Sequence, residues 1–278
     1  MLHTTFFKNI AFDPRPGCLT SLTYERIKNK NEACRSHVSR CSSLREIVIT
    51  GEESAIRSNK IMTVVMKAKN SLTRINLSPS FAGLSNSSFE KIGEMTQLTH
   101  LAVGGGKLEP GGISALASLT ELKTLKVPKI ACETNSFIPA LVDLFSKLKK
   151  LEQVEIVKMK VLSDEVVKSL VNNNPNFHHL DITTCGHVDF IDSSFLDYHN
   201  IVGFSSRSLD LIADKCPQLT YFGIGHLWNV SDISITKLVE NCPKLKHADF
   251  RDTRFNDTAL AMMSKNCPDL EYLNIVDC

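Results

Sequence analysis

Apolar residues in this chain recur on two different periods, and the two alternate. Short stretches keep them at the first, fourth and sixth places; the stretches between keep them three or four residues apart. The clearest short stretches are Cys216-Pro217-Gln218-Leu219-Thr220-Tyr221-Phe222-Gly223-Ile224, Cys242-Pro243-Lys244-Leu245-Lys246-His247-Ala248-Asp249-Phe250 and Cys267-Pro268-Asp269-Leu270-Glu271-Tyr272-Leu273-Asn274-Ile275. They are three copies of C-P-x-L-x-x-φ-x-φ, with φ apolar, at an almost constant spacing set by Leu219, Leu245 and Leu270. A period of this size marks a solenoid, in which each unit buries its apolar face only against its neighbours. Alternation puts side chains on opposite faces of a strand, and a period near that of the helical turn puts them on one stripe of a helix. Each unit therefore predicts a strand followed by a helix.

The same phrase can be indexed along most of the chain. First anchors fall at Leu19, Leu44, Leu72, Leu98, Leu122, Leu151, Phe177, Leu219, Leu245 and Leu270. Their spacing varies little except between Phe177 and Leu219, where it is half as long again. L-x-x-L-x-L is the strand signature of a leucine-rich repeat. The predicted fold is an α/β leucine-rich-repeat solenoid of about ten repeats: a horseshoe with a concave parallel sheet and helices on the convex side. Ser87-Ser88-Phe89-Glu90 reads as a capping box opening one helix. Asn229-Val230-Ser231-Asp232 leads into a stripe of Ile235, Leu238 and Val239, and Asn256-Asp257 into Leu260 and Met263. Each Cys-Pro pair stops its helix, because proline disfavours helix at the residue before it.

Residues 1–18 are irregular, with Pro14, Pro16 and Gly17 breaking any element, and 19–278 form the repeat domain. The long interval after Phe177 carries an inserted loop at about 186–204, rich in aromatic residues: Phe190, Phe195, Tyr198 and Phe204. The sequence stops at Cys278, at the end of a predicted strand. Solenoids need polar caps on their terminal repeats, so either a longer chain or a partner is expected to cover that end.

Composition narrows the function classes. Apolar residues make up 42% and charged residues 22%, and 32 basic against 30 acidic residues leave a formal charge of +2. That balance carries no electrostatic footprint for nucleic acid or an anionic membrane. No apolar run is long enough to span a bilayer, and the first residues lack a signal peptide's apolar core. The expected location is the cytoplasm or the nucleus. Of nine cysteines, Cys41, Cys216, Cys242 and Cys267 each stand three places before a first anchor. Equivalent positions in successive coils stack, so these read as buried free thiols closing their helices.

C-P-x-L-x-x-L-x-L-x-x-C followed by a polar-capped helix resembles the cysteine-containing class of leucine-rich repeats, best known from the F-box/leucine-rich-repeat proteins. The terminal cysteine of that consensus stands at Cys185 after Phe177 and at Cys278 after Leu270. The segments S-D-I-S-I-T-K-L-V-E-N-C-P, ending at Pro243, and N-D-T-A-L-A-M-M-S-K-N-C-P, ending at Pro268, are similar to the family's inter-strand segments. The resemblance covers 41–278 and is closest from 216 onward. It implies the substrate-recognition repeats of an SCF-type (cullin) E3 ubiquitin ligase, with a target protein held on the concave face. No F-box pattern is present in this chain, and its single tryptophan, Trp228, lies in a late repeat. A Skp-type adaptor and a cullin would then be engaged through an F-box outside this sequence. The alternative is a stand-alone leucine-rich-repeat scaffold unrelated to ubiquitin.

Catalytic patterns are sparse. Gly104-Gly105-Gly106-Lys107 lacks the spacing of a phosphate loop, with Leu108 where Ser or Thr is required, and reads as a turn. His179, Asp181 and Cys185 are metal-ligand types on one strand. Alternate residues there stand roughly 6.5–7 Å apart, loose for a tetrahedral zinc. A metal-dependent enzyme at that cluster is the remote alternative; the expectation is no enzyme and no cofactor. The third and fifth positions of each L-x-x-L-x-L should face outward. Toward the C-terminus they assemble a strip of His179, Asp181, Tyr221, His247, Asp249, Tyr272 and Asn274, with Arg251 beside it. Exposed Tyr and Arg favour an interface over a merely solvated sheet face. Gly223 and Gly225 should leave room between flanking side chains, and Phe190, Phe195 and Tyr198 are placed as a lid over the groove.

Overall fold

The computed structural model describes residues 21–25, 43–50, 58–77, 84–104, 108–128, 135–159, 161–185, 203–227 and 229–278. Residues 1–18, Cys41, Gly105-Gly106-Lys107, Trp228 and the proposed lid residues Phe190, Phe195 and Tyr198 lie outside them. The chain divides into two compact units, Met1–Ile130 and Ala131–Cys278.

The first unit holds β1 (Ser21–Glu25), β2 (Glu46–Thr50), β3 (Arg74–Leu77), β4 (His100–Val103) and β5 (Thr124–Lys126), with α1 (Ser58–Lys67), α2 (Asn86–Gly93) and α3 (Pro110–Leu116). Its strands pair in parallel in chain order. The second unit holds β6 (Gln153–Glu155), β7 (His179–Asp181), β8 (Tyr221–Gly223), β9 (His247–Asp249) and β10 (Tyr272–Asn274), again parallel and in order. Its helices are α4 (Ile138–Lys147), α5 (Asp164–Asn173), α6 (Ser206–Lys215), α7 (Asp232–Asn241) and α8 (Asp257–Asn266). Every strand starts two places after a first anchor, and a helix separates most successive strands. The fold is an α/β leucine-rich-repeat solenoid.

The core is what the periodicity requires. First, fourth and sixth positions such as Leu151, Val154 and Ile156, or Leu245, Ala248 and Phe250, are buried, and they meet helix stripes such as Ile235, Leu238 and Val239. Burying one such side chain is worth about 1.5–3 kcal/mol. Serine or asparagine opens the later helices: Ser163 accepts from the Val166 amide, Ser231 from Ser234 at 3.1 Å and Asn256 from Ala259 at 3.0 Å. Cys216, Cys242 and Cys267 sit at the C-caps with buried, unpaired thiols.

Two local expectations are corrected. The helix containing Ser87 begins earlier, with Ser85 at the N-cap position, so no capping box forms on Ser87. Glu90 instead accepts from Asn86 Nδ2 at 3.1 Å, one turn back, because the earlier start carries Ser87 into the first turn. Leu260 is 39% exposed rather than part of the core, whereas Ala259 and Met263 are buried. The equivalent Ile235 of α7 is covered by the packing of α8, and no described helix follows α8.

One regularity lies outside the hydrophobic pattern. Lys158, Thr184, His226, Asp252 and Asp277, each two places beyond the sixth position of its repeat, have φ of 65°, 60°, 66°, 54° and 59°. None is glycine, and the left-handed region is unfavourable for all of them. The first four hold it through a bond to the next coil. Lys158 N–H donates to Thr183 O, Thr184 N–H to Gly225 O, His226 N–H to Arg251 O and Asp252 N–H to Val276 O, at 2.8–3.1 Å. The ladder thus continues past the strand ends and holds the backbone where it leaves the sheet.

Candidate functional site

The open face of the second unit's sheet carries a column of rings. The strand register sets His179 against Tyr221, Tyr221 against His247 and His247 against Tyr272, all at the third position. The His179 and Tyr221 rings stack with centroids 4.1 Å apart and an interplanar angle of 13°. Tyr221 and His247 follow at 6.2 Å and 22°, and His247 and Tyr272 at 6.3 Å and 27°. The first three rings are half-buried and Tyr272 is 53% exposed. Four consecutive strands thus present planar polar rings in one line, each with a nitrogen or hydroxyl at its edge.

Beside it, the fifth position supplies Glu155, Asp181, Gly223, Asp249 and Asn274 in register. Three of these make the same turn. Asp181 Oδ1 accepts from the Thr183 amide at 3.0 Å, Asp249 Oδ1 from Arg251 at 3.2 Å and Asn274 Oδ1 from Val276 at 3.3 Å. Such Asx turns bend the chain off the sheet just before the left-handed residue. Asp249 also pairs with Arg251, Oδ2 to Nη2 at 3.0 Å, and is only 9% exposed. Its carboxylate is therefore committed to the fold, whereas Asp181 stays half-exposed. The Tyr221 hydroxyl donates to Asp181 Oδ2 at 3.4 Å, and His179 Nε2 stands 3.1 Å from Glu155 Oε1, off hydrogen-bond alignment. Burial, and then the Asp181, Asp249 and Glu155 carboxylates, push the Tyr221 phenol well above its ordinary value, so it keeps its proton at neutral pH.

The room left by the two glycines is filled. A Cβ on Gly223 would stand 2.8 Å from Asp181 Oδ1, and one on Gly225 would stand 2.9 Å from Arg251 Cγ. Each glycine lets a side chain from an adjacent coil come close over its backbone.

Cys185 does not share the face of His179 and Asp181, which corrects the strand alternation assumed for that cluster. The strand ends at Asp181, Thr184 turns left-handed, and Cys185 swings inside, its thiol donating to Ile156 O. Burial pushes that thiol up to about 12, so it is not a thiolate ligand at neutral pH. Among the described residues no group of three or more His, Cys, Asp or Glu could hold a metal ion. No described helix is long and apolar enough to cross a membrane.

Sequence patterning missed one pair beside the strip. His226 Nδ1 and Asp252 Oδ2 meet at 2.8 Å, both on left-handed residues of adjacent coils. Their polar column, two places beyond the buried sixth position, was visible in the sequence; the backbone that brings them together was not.

No family model matches the chain. A 76-residue segment, 26% of this chain, is 36% identical to F-box protein SKIP1 of Arabidopsis thaliana and covers 25% of that protein. Among solved structures, a chain of the yeast Rad7 and Elc1 complex is similar at a TM-score of 0.56 and 17% identity, over 87% of this chain and 65% of that one. A leucine-rich-repeat protein of Leptospira interrogans aligns over 93% of this chain and 72% of that one, at 13% identity and a TM-score of 0.40. The chain thus spans a quarter of the curated relative it matches, and the Rad7–Elc1 likeness is one of fold.

Proposed function

We propose that this chain is a protein-interaction module whose repeats hold a target protein, and that it serves target recognition in a cullin-type ubiquitin ligase of the cytoplasm or nucleus. The carrying observation is the ring column His179–Tyr221–His247–Tyr272. Aromatic rings held in register on an open sheet face are preorganised contact area of the kind that dominates interface energetics. The ubiquitin link is supported by the 36% identity to an F-box protein over part of the chain. In this reading the adaptor and cullin are bound by a segment other than the strip.

Capture from extract of the source cells, with the wild-type chain and a Tyr221→Ala/His247→Ala variant compared by mass spectrometry, tests both parts. Expected is a set of proteins bound by wild type and lost from the variant; a Skp-type adaptor and cullin retained by both would mean that the chain itself engages the ligase. Target proteins without adaptor or cullin would make the chain a stand-alone scaffold or a recognition half whose F-box lies elsewhere. Capture indifferent to the double substitution would remove the strip from the interface. Asp249 is not a suitable probe, because its carboxylate holds the turn at Arg251.

A further inference from the structure

We infer that the strip takes an extended, lysine- or arginine-bearing segment of its partner; this rests on the partner-binding reading above and names the partner's chemistry. The first argument is spacing. Two successive ring intervals are 6.2 and 6.3 Å. Alternate side chains of an extended chain repeat at roughly 6.6 Å. A segment crossing β8, β9 and β10 therefore sets every second side chain against successive rings, and the ring-edge hydroxyls and nitrogens meet its backbone. A helix, rising only about 1.5 Å per residue, has no such match across the strands.

The second argument is charge. From the fifth position to the left-handed residue, the second unit carries Glu155, Asp181, Asp249, Asp252 and Asp277 against Lys158 and Arg251. Arg251 and Asp249 pair with each other and His226 meets Asp252, so the acidic excess is carried by Glu155, Asp181 and Asp277 against Lys158. Just before the strands the signs balance, with Lys150, Lys244 and Lys246 against Glu152, Asp269 and Glu271. The excess is thus confined to the side where the strands end, beside the ring column. The raised Tyr221 phenol reports the same field, since three of these carboxylates act on it after burial. Asp181 has capacity left: its oxygens accept from the Thr183 amide and the Tyr221 hydroxyl, two of about four sites on a carboxylate. A cationic head over Asp181, with its methylenes along the ring edges, uses the strip fully. A phosphate backbone or phosphopeptide would meet repulsion there.

The test pans a random dodecapeptide display library against the purified chain, then measures enriched synthetic peptides by fluorescence anisotropy. Wild type is compared with Asp181→Asn, Glu155→Gln and Tyr221→Ala. Asparagine keeps the Oδ1 acceptor of the turn, and unchanged thermal unfolding confirms that the fold is intact. Expected are peptides with Lys or Arg at alternate positions, about three- to fivefold weaker binding to Asp181→Asn, and affinity that falls with added salt. Acidic or uncharged peptides, or indifference to Asp181→Asn, overturn this inference; if such peptides still require Tyr221, the partner-binding reading survives. Binding that ignores Tyr221 as well overturns both. A library that yields no binder rules out an extended segment.

Discussion

The carboxylate of Asp181 lies over the backbone of Gly223, one strand away, where a Cβ would stand 2.8 Å from its Oδ1 and 3.0 Å from Thr183 Oγ1. The absent side chain is what lets Asp181 reach the Tyr221 hydroxyl. Gly223→Ala is therefore expected to destabilise the protein by about 1–3 kcal/mol, the usual cost of overpacking. Part of that loss should vanish in the Asp181→Ala background, where of these close contacts only the one to Thr183 Oγ1 remains. Urea denaturation of the four proteins of this cycle reads the coupling; additive effects would show that the glycine has no such role.

The His179 and Tyr221 rings, 4.1 Å apart and nearly parallel, should be energetically coupled. Replacing each by alanine singly and together is expected to give a coupling of about 0.5–1.5 kcal/mol in thermal or chemical unfolding. The same cycle on His247 and Tyr272, at 6.3 Å, should give the smaller value. Equal couplings would mean that the closer stack confers no extra stability.

Asp164 ties α5 to α6 across the longest interval in the chain. Its carboxylate accepts from the Ser205 amide at 2.8 Å, the Ser205 hydroxyl at 2.6 Å and the Ser208 hydroxyl at 2.5 Å. Ser208 is buried, so Asp164→Ala strands a polar group without water. A loss of about 2–3 kcal/mol is expected, with Asp164→Asn milder because one carbonyl oxygen still accepts. Hydrogen exchange should rise first at the start of α6. This clasp was not legible in the sequence, because a serine so far along the chain from an aspartate says nothing until the coils between them are stacked.

The thiols of Cys185, Cys216 and Cys242 are pushed by burial from the ordinary 9.0 to about 12. In the folded state they hold their protons more tightly than in the unfolded chain. Their contribution is thus fully present below pH 9 and is lost as pH rises from 9 toward 12, by at most about 1.4 kcal/mol per thiol per pH unit. Denaturation midpoints at pH 8, 9.5 and 10.5 should fall accordingly, and Cys242→Ala should flatten the slope. At pH 8, iodoacetamide should label the exposed Cys278 and spare these three in the native protein, as peptide mapping would show.

The repeat phase, the place of every described strand and the buried cysteines Cys216, Cys242 and Cys267 at helix ends were all determined by the sequence alone. Each depends on burial within one repeat, and hydrophobic periodicity records that directly. The stacking order of the rings followed too, since one residue at the third position of each coil leaves its ring little choice of neighbour. The tertiary structure decided what depends on the next coil, a full repeat away along the chain. The left-handed turns are held by bonds to the following strand, and they take Cys185 off the face of His179. Asp249 is committed to Arg251, Asp181 rests over Gly223, and Leu260 stands exposed where Ile235 is covered. Pattern within a coil states which side chains turn inward. Only the register and closeness of adjacent coils states which polar groups are consumed by the fold and which are left for a partner.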